Sequence, residues 1–208
     1  MKEFLKKHWQ LLLNIYLFAN LVGWLVWDAH KSWAEGRLGL IEIGFMVHNA
    51  LWIGMVLVRR QHLAVDRNVL HQVVALAAFY SGLLMPIAGQ KGSPLALDVS
   101  GWFILGALVL SVATIFNLGR SFGILIAVRR VQTGGLYRIV RHPMYVTDLL
   151  IRIGYLISHC TPLNLGIVAA TALCYGYRAV LEERFLSQWP EYREYRGKVR
   201  YRFVPGVF

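Results

Sequence analysis

Long apolar stretches separated by short polar segments dominate the chain. Four stretches approach the roughly 20 residues that a helix needs to cross about 30 Å of hydrocarbon, and two shorter ones follow. A turn-forming segment at residues 158–164 separates the last two, which predicts a tight helical hairpin. The pattern therefore predicts an all-α polytopic membrane bundle of five to six transmembrane helices. The stretches are residues 11–27, 38–58, 70–88, 99–118, 144–157 and 163–177.

Composition supports a membrane location. Of the 208 residues, 57% are hydrophobic and 16% are charged. Soluble domains typically contain about 25% charged residues. The two cysteines, Cys160 and Cys174, form neither a disulfide framework nor a paired thiol motif. The seven histidines are scattered without the spacing of metal ligands, so we expect no metal.

The placement of basic residues predicts an orientation. If six spans leave both termini inside, 18 Lys and Arg residues lie on the inner side and three on the outer side. Short cytoplasmic loops retain Lys and Arg, so the termini and the segment before residue 143 are predicted to be cytoplasmic. The net charge of +11 then mainly reflects the membrane topology and, secondarily, favours contact with anionic lipids. Nucleic acid binding is disfavoured because the basic residues lie close to the predicted membrane surfaces.

A polar, basic segment at residues 133–147 interrupts the apolar pattern. Pro143 lacks an N–H and suits the first turn of a helix, so the fifth span is predicted to begin near His142. The aromatic and cationic side chains before it could line a site for a nucleoside and a carboxylate, or could form a basic membrane-interface loop. Glu182 and Glu183 in the tail likewise fit either a solvated helix end or a pair that neutralises a cationic ligand.

The C-terminal third carries motifs in a recognisable order. Gly-Gly-Leu-Tyr-Arg-Ile-Val-Arg-His-Pro-Met-Tyr is followed by the predicted hairpin, then by Leu-Glu-Glu-Arg-Phe-Leu, Glu-Tyr-Arg-Glu-Tyr and Arg-Phe-Val-Pro. This arrangement, over residues 133–208, resembles the superfamily of isoprenylcysteine carboxyl methyltransferases and phospholipid methyltransferases. The resemblance implies an integral, multi-pass membrane enzyme that uses S-adenosylmethionine. It divides the chain into N-terminal spans at residues 1–130 and a methyltransferase module at 131–208.

The resemblance also implies site residues. Arg202 would be the cation near the methyl acceptor, and Glu182 is the second predicted catalytic residue. The cofactor pocket would face the cytoplasm, in a cell inner membrane or the endoplasmic reticulum. Its lining would be Gly135, Tyr137, Arg141, His142, Pro143 and Tyr145, closed by Glu182 and Glu183.

The chemistry leaves the acceptor open. Methyl transfer from a sulfonium requires alignment of the reacting atoms and exclusion of water. A carboxylate acceptor needs a cation such as Arg202 to position it, whereas an amine or thiol needs a base, for which Glu182, Glu183 and His142 are candidates. A prenylated cysteine, an amine-bearing phospholipid, another lipid or a small thiol all remain compatible, and no oligomeric state is predicted.

Two charged residues fall within the fifth span. Asp148 and Arg152 are four residues apart and are predicted to form an ion pair on one helix face, with either a functional or a purely structural role. Sterol reductases resemble the same module and also carry Arg-His-Pro-x-Tyr followed by an Asp, so an NADPH-dependent reductase is an alternative. A non-catalytic membrane scaffold is a further alternative.

Overall fold

Helices account for nearly all the regular structure, which confirms the predicted all-α class. The computed structural model describes residues 2–36, 39–66, 68–81, 85 and 93–207. Two short strands, β1 (Ala64–Val65) and β2 (Ala127–Val128), pair antiparallel with Ala64 opposite Val128. The helices are α1 (Lys2–Ala34), α2 (Leu40–Val58), α3 (Val69–Tyr80), α4 (Pro94–Leu118), α5 (Pro143–Ser158), α6 (Pro162–Leu186) and α7 (Pro190–Lys198).

Within the described residues, three helical segments are long and apolar enough to cross a membrane. They are Leu40–Val58, Pro94–Ser121 and Pro162–Leu186. The count of five to six spans and the orientation stay predictions. Part of the predicted span at residues 70–88 lies outside the described residues, namely 82–84 and 86–88. The same holds for residue 38 of the second predicted span and for Arg37, Arg67 and Lys91, which enter the charge count.

The chain forms two compact units, Met1–Arg59 and Arg60–Phe208. In the first unit, α1 packs against α2. The Arg59 guanidinium donates to the Asn14 side chain, and the Trp52 indole donates to His48 Nε2 at 3.1 Å. These bonds satisfy polar groups on otherwise apolar helices. The second unit comprises α3 to α7 and both strands, and it carries every predicted site residue. The predicted division at residues 130 and 131 stays a prediction.

The helices α4 and α5 approach each other closely because small residues line their contact. A Cβ built on Gly154 of α5 would lie 2.6 Å from Ile104 Cγ1 of α4, so this position accommodates no side chain without movement. The buried Ser100 hydroxyl donates to the Gly154 carbonyl oxygen at 2.7 Å and lies 2.9 Å from the Ser158 hydroxyl. Small residues and interhelical hydrogen bonds are the usual means of packing membrane helices.

The predicted hairpin is present as α5 and α6, which contact each other. Pro143 and Pro162 occupy the first helical positions, where the missing N–H costs nothing. Between the helices, Thr161 caps α6 by accepting from the Asn164 amide N–H at 3.1 Å. Asn164 Nδ2 in turn donates to the His159 carbonyl oxygen at 2.8 Å, which closes the turn. The predicted turn is present but shorter, at residues 159–161 within the segment 158–164, and the predicted start of α5 after His142 is confirmed.

The tail contains a helix, α7, that was not predicted from the sequence. Pro190 begins it, and its two buried tyrosines, Tyr192 and Tyr195, pack with Tyr137 and Val199 in one hydrophobic cluster. Because Tyr137 belongs to the loop before α5, this cluster fastens the tail to that loop. The connection brings the two ends of the predicted module together.

Candidate active site

The loop before α5 takes its shape from Gly135 and Tyr137. Gly135 has a φ of +56°, a left-handed conformation that L side chains rarely adopt, and a Cβ there would lie 2.1 Å from Asn117 Nδ2 of α4. A 3-10 turn at Gly135–Arg138 follows. The Tyr195 hydroxyl donates to the Tyr137 carbonyl oxygen at 2.7 Å, and burial raises the pKa of Tyr137 well above its ordinary value. The loop is thus held by α4 on one side and by α7 on the other.

The end of the loop pairs with the tail as a short extended segment. Val140 and Tyr201 form a parallel bridge. The Arg141 amide donates to the Tyr201 carbonyl oxygen at 2.9 Å, and the His142 amide donates to the Arg202 carbonyl oxygen at 3.0 Å. Backbone hydrogen bonds of this kind fix the register, so His142 and Arg202 lie side by side.

Three donors converge on the carboxylate of Glu183, near the end of α6. Arg141 Nε donates to Oε1 at 2.9 Å. Arg202 Nε donates to Oε1 at 3.0 Å and its Nη2 donates to Oε2 at 2.9 Å. His142 Nε2 lies 3.2 Å from Oε1. Arg141, His142, Glu183 and Arg202 are called the Glu183 cluster below.

The Glu183 cluster is shielded from water. The Glu183 side chain is 3% exposed, and those of Arg141 and Arg202 are 8% and 12% exposed. Hydrogen bonding to Glu183 raises the pKa of Arg202, so this guanidinium stays charged. Arg141 also binds the tail, because its Nη1 donates to the carbonyl oxygens of Val199 and Arg200 at 2.9 and 2.8 Å. The cluster therefore joins the loop, the hairpin and the tail through charge-assisted hydrogen bonds.

The neighbouring carboxylate, Glu182, has different partners. Arg178 Nε, one helical turn earlier, donates to Glu182 Oε1 at 2.9 Å. His142 Nδ1 lies 3.8 Å from Glu182 Oε2, so the imidazole stands between the two glutamates. The adjacent pair is thus divided, with Glu183 facing the loop and tail and Glu182 facing Arg178.

Aromatic rings extend the site along α5 and α6. The rings of His142 and Tyr145 are nearly parallel, with centroids 5.2 Å apart. Tyr145 stacks in turn on Tyr175, with centroids 4.7 Å apart, and the Arg178 guanidinium lies 5.2 Å from the Tyr145 ring centroid. Flat aromatic faces beside carboxylates and guanidiniums offer both stacking and polar recognition.

The ion pair predicted within the fifth span is confirmed. Arg152 Nε donates to Asp148 Oδ2, and the Tyr175 hydroxyl donates to the same oxygen at 2.7 Å. Arg152 Nη1 also donates to the Ser81 hydroxyl at 3.1 Å. Asp148, Arg152, Tyr175 and Ser81 are called the Asp148 cluster below. Tyr175 connects it to the aromatic stack.

The structure brings five of the predicted site residues into one group: Arg141, His142, Glu182, Glu183 and Arg202. Tyr145 joins them through its stacking on His142. The remaining three have evident structural roles, since Pro143 starts α5, Gly135 turns the loop and Tyr137 packs on α7. The binding and catalytic roles assigned to all these residues stay predictions.

Two residues that shape the site, Tyr175 and Arg178, are not among the predicted site residues, and a third, Asn117, was predicted only for structural hydrogen bonding or an interface position. Arg178 stands four residues before Glu182, and this spacing on a helix was the available signal. Tyr175 sits within an apolar stretch, where neither residue type nor spacing distinguishes it from a packing residue. The contacts of Tyr175 and Asn117 arise only from the tertiary structure.

Comparisons with known proteins show which families this chain resembles. The family model described as phospholipid methyltransferase matches residues 96–191. Protein-S-isoprenylcysteine O-methyltransferase B of Arabidopsis thaliana is 33% identical over 104 residues, which is 46% of this chain and 52% of that protein. A probable protein-S-isoprenylcysteine O-methyltransferase of Oryza sativa subsp. indica is 34% identical over 106 residues, or 46% of this chain and 54% of that protein.

The chain thus spans about half the length of the curated relatives that it matches. The match to the family model begins in the first turn of α4 and ends just inside α7, so it includes the rest of α4, the loop, the hairpin and both glutamates. These findings confirm the resemblance that the motifs predict, to the superfamily of isoprenylcysteine carboxyl methyltransferases and phospholipid methyltransferases.

Proposed function

We propose that this protein is an S-adenosylmethionine-dependent methyltransferase that acts on a lipid-like acceptor, with isoprenylcysteine carboxyl methyltransferase-like activity at the cytosolic membrane face. The observation that carries this proposal is the convergence of Arg141, His142 and Arg202 on Glu183. Loop, hairpin and tail side chains meet there, at the end of an apolar helix. The relatives named for isoprenylcysteine methylation support the same conclusion.

The side chains present fit the chemical groups of the cofactor. Glu182 offers a carboxylate for the ammonium of the methionine portion, the aromatic stack that includes Tyr145 offers an apolar wall for adenine, and Arg141 with His142 supplies donors. When bound, the cofactor supplies an activated methyl group. This chain's residues then orient the acceptor in line with that group and exclude water.

Arg202 is suited to hold a carboxylate acceptor. Its guanidinium is fixed by two hydrogen bonds to Glu183, so little reorganisation is needed when an anion approaches. Three guanidiniums, from Arg141, Arg178 and Arg202, face two carboxylates, and the excess positive charge favours an anionic acceptor group. An ionised carboxylate needs no base, which suits a site where Glu183 is saturated with donors.

Amine and thiol acceptors remain the alternative within the same function. They require loss of a proton, for which Glu182 and His142 are the suitable groups, because Glu183 already accepts from three donors. We therefore expect a farnesylated cysteine with a free carboxylate to be methylated in preference to phosphatidylethanolamine or an alkyl thiol.

The test uses the full chain in lipid nanodiscs. Calorimetry measures binding of S-adenosylhomocysteine and NADPH, and transfer of a labelled methyl group is followed to each of the three acceptors. We expect S-adenosylhomocysteine to bind and label to appear as a base-labile ester of the farnesylated cysteine. Binding of NADPH alone would indicate a reductase, and binding of neither would indicate a scaffold.

The matched variants are Arg202→Gln and Glu194→Gln. Arg202→Gln should lower kcat more than it weakens S-adenosylhomocysteine binding. Glu194, which pairs with Lys198 on the exposed side of α7, is the control and should change neither. Equal losses of turnover and binding in Arg202→Gln would contradict the assigned role of Arg202.

A further inference from the structure

Arg178 is a buried cation that the proposed function uses only for its charge. It is 5% exposed and lies in the apolar helix Pro162–Leu186. A charged side chain within a membrane-spanning helix is costly, so it is retained where it pairs with other groups or serves a site. The partners of Arg178 therefore indicate its purpose.

Two of these partners are backbone carbonyl groups outside the predicted pocket. Nη1 donates to the Ala75 carbonyl oxygen of α3 at 3.4 Å, and Nη2 donates to the Ile124 carbonyl oxygen before β2. Neither acceptor belongs to the loop, the tail or the Glu183 cluster. The guanidinium plane is thus fixed by parts of the fold that do not depend on the site.

The other two partners are predicted cofactor residues. Nε donates to Glu182 Oε1 at 2.9 Å, and the guanidinium carbon lies 5.2 Å from the Tyr145 ring centroid. A planar guanidinium can satisfy both contacts at once, because its edge donates while its face covers an aromatic ring. Arg178 therefore contacts the Glu182 carboxylate and the Tyr145 ring at the same time, and so contributes to the orientation of both, together with His142 and Tyr175.

We propose that Arg178 is a positioning residue that holds Glu182 and the Tyr145 ring in the orientation required to bind the methyl donor. This inference rests on the proposed function. Glu183 accepts from Arg141, His142 and Arg202, whereas Glu182 accepts from Arg178, with His142 Nδ1 3.8 Å from its other carboxylate oxygen. The two adjacent glutamates thus have separate tasks, with Glu183 joining segments and Glu182 meeting the ligand.

The principal test compares Arg178→Lys with Arg184→Lys. Lysine keeps the charge at position 178 but lacks the planar fork, so it cannot hold Glu182, Tyr145 and two carbonyl groups together. Arg184 is exposed on the same helix and serves as the matched control. We expect S-adenosylhomocysteine affinity to fall by about tenfold in Arg178→Lys, the scale of one lost charge-assisted hydrogen bond. It should be unchanged in Arg184→Lys.

A double-mutant cycle distinguishes positioning from general support of the fold. If Arg178 acts through Glu182, then Glu182→Gln should weaken binding much less in the Arg178→Lys background than in the wild-type background. Independent, additive losses would overturn the proposal. Wild-type affinity in Arg178→Lys would overturn it as well.

A second pair of variants leaves Arg178 intact and applies if Arg178→Lys does not fold. Glu182→Asp keeps the charge but shortens the side chain by one methylene, which withdraws the carboxylate from Arg178. The proposal expects Glu182→Asp to lose as much affinity as Glu182→Gln, and near wild-type affinity of Glu182→Asp would overturn it. If the wild-type protein itself binds no S-adenosylhomocysteine, the proposed function fails together with this inference.

Discussion

The Glu183 cluster and the Asp148 cluster are both buried polar groups in an apolar chain, but they are assembled differently. Arg141 and Arg202 reach Glu183 across 42 and 19 residues of sequence. Asp148 and Arg152 are four residues apart on one helix, and Tyr175 reaches them from the adjacent helix of the hairpin. The Glu183 cluster joins segments that are distant in sequence. The Asp148 cluster adds Tyr175 to an ion pair that already lies on one helix, α5.

The difference has an energetic consequence. The Glu183 side chain is 3% exposed and accepts from two guanidiniums and an imidazole. Asp148 is 29% exposed, and its partner Arg152 keeps other acceptors at Ser81 and Ala78. Losing the carboxylate charge should therefore cost more in the Glu183 cluster, where two buried cations lose their shared counterion.

The largest expected effect is that of Glu183→Gln. Removing one partner of a buried ion pair costs about 3–5 kcal/mol, because the remaining charge is left uncompensated. Here the loop and the tail also lose their common attachment to α6. The free energy of unfolding in mixed micelles measures the loss, and amide hydrogen exchange should show increased exchange at residues 199–202 and 140–142.

The control for this variant is Glu194→Gln. Glu194 pairs with Lys198 on the surface of α7, where both side chains are at least 70% exposed. Exposed pairs contribute about 0–1 kcal/mol. A loss in Glu183→Gln no larger than that of the control would mean that the cluster does not hold the tail.

Sequence reasoning predicted the two clusters by different means. The spacing of Asp148 and Arg152 predicted their ion pair directly, because residues four apart share a helix face. No local pattern connects Arg141 with Glu183 or Arg202, and only the resemblance placed Arg141 and Glu183 in one pocket, with Arg202 near the acceptor. The helical hairpin and the start of α5 at Pro143 were predictable, since proline and turn residues mark helix boundaries.

The tail was predicted less completely. Its segment Pro-Glu-Tyr-Arg-Glu-Tyr-Arg-Gly-Lys is polar and contains no apolar stripe, so α7 was not predicted. The helix buries tyrosines instead, at Tyr192 and Tyr195, and these have ring faces for packing as well as hydroxyls. The spacing of these two tyrosines, three residues apart, was the one feature that could have indicated a helix. Their packing partner, Tyr137, lies far away in sequence.

Asp148→Asn tests the Asp148 cluster. The variant keeps the shape of the side chain but removes the counterion of Arg152, and we expect a loss of about 1–3 kcal/mol in the free energy of unfolding. The cost should stay below that of Glu183→Gln, because Asp148 is partly exposed and Arg152 retains its hydrogen bonds to Ser81 and Ala78. A cost equal to or larger than that of Glu183→Gln would break the comparison.

The smallest expected effect concerns the loop that carries Arg141 and His142 into the Glu183 cluster. Gly135→Ala should destabilise the protein by about 1–2 kcal/mol, because an L residue is strained in the left-handed region. The added Cβ would also displace the Asn117 side chain. Gly134→Ala is the neighbouring control, since a Cβ at Gly134 meets nothing within 4 Å and its φ is −93°.

Combining Gly135→Ala with Asn117→Ala separates the two causes. The second change removes the side chain that the new Cβ would meet but leaves the backbone strain, so the double variant should recover only part of the lost stability. Full recovery would mean that contact with α4 alone shapes the loop. If Gly135→Ala instead loses no more stability than Gly134→Ala, the loop does not depend on the left-handed conformation of Gly135. The position of His142 beside Glu183 would then depend on the pairing with the tail alone.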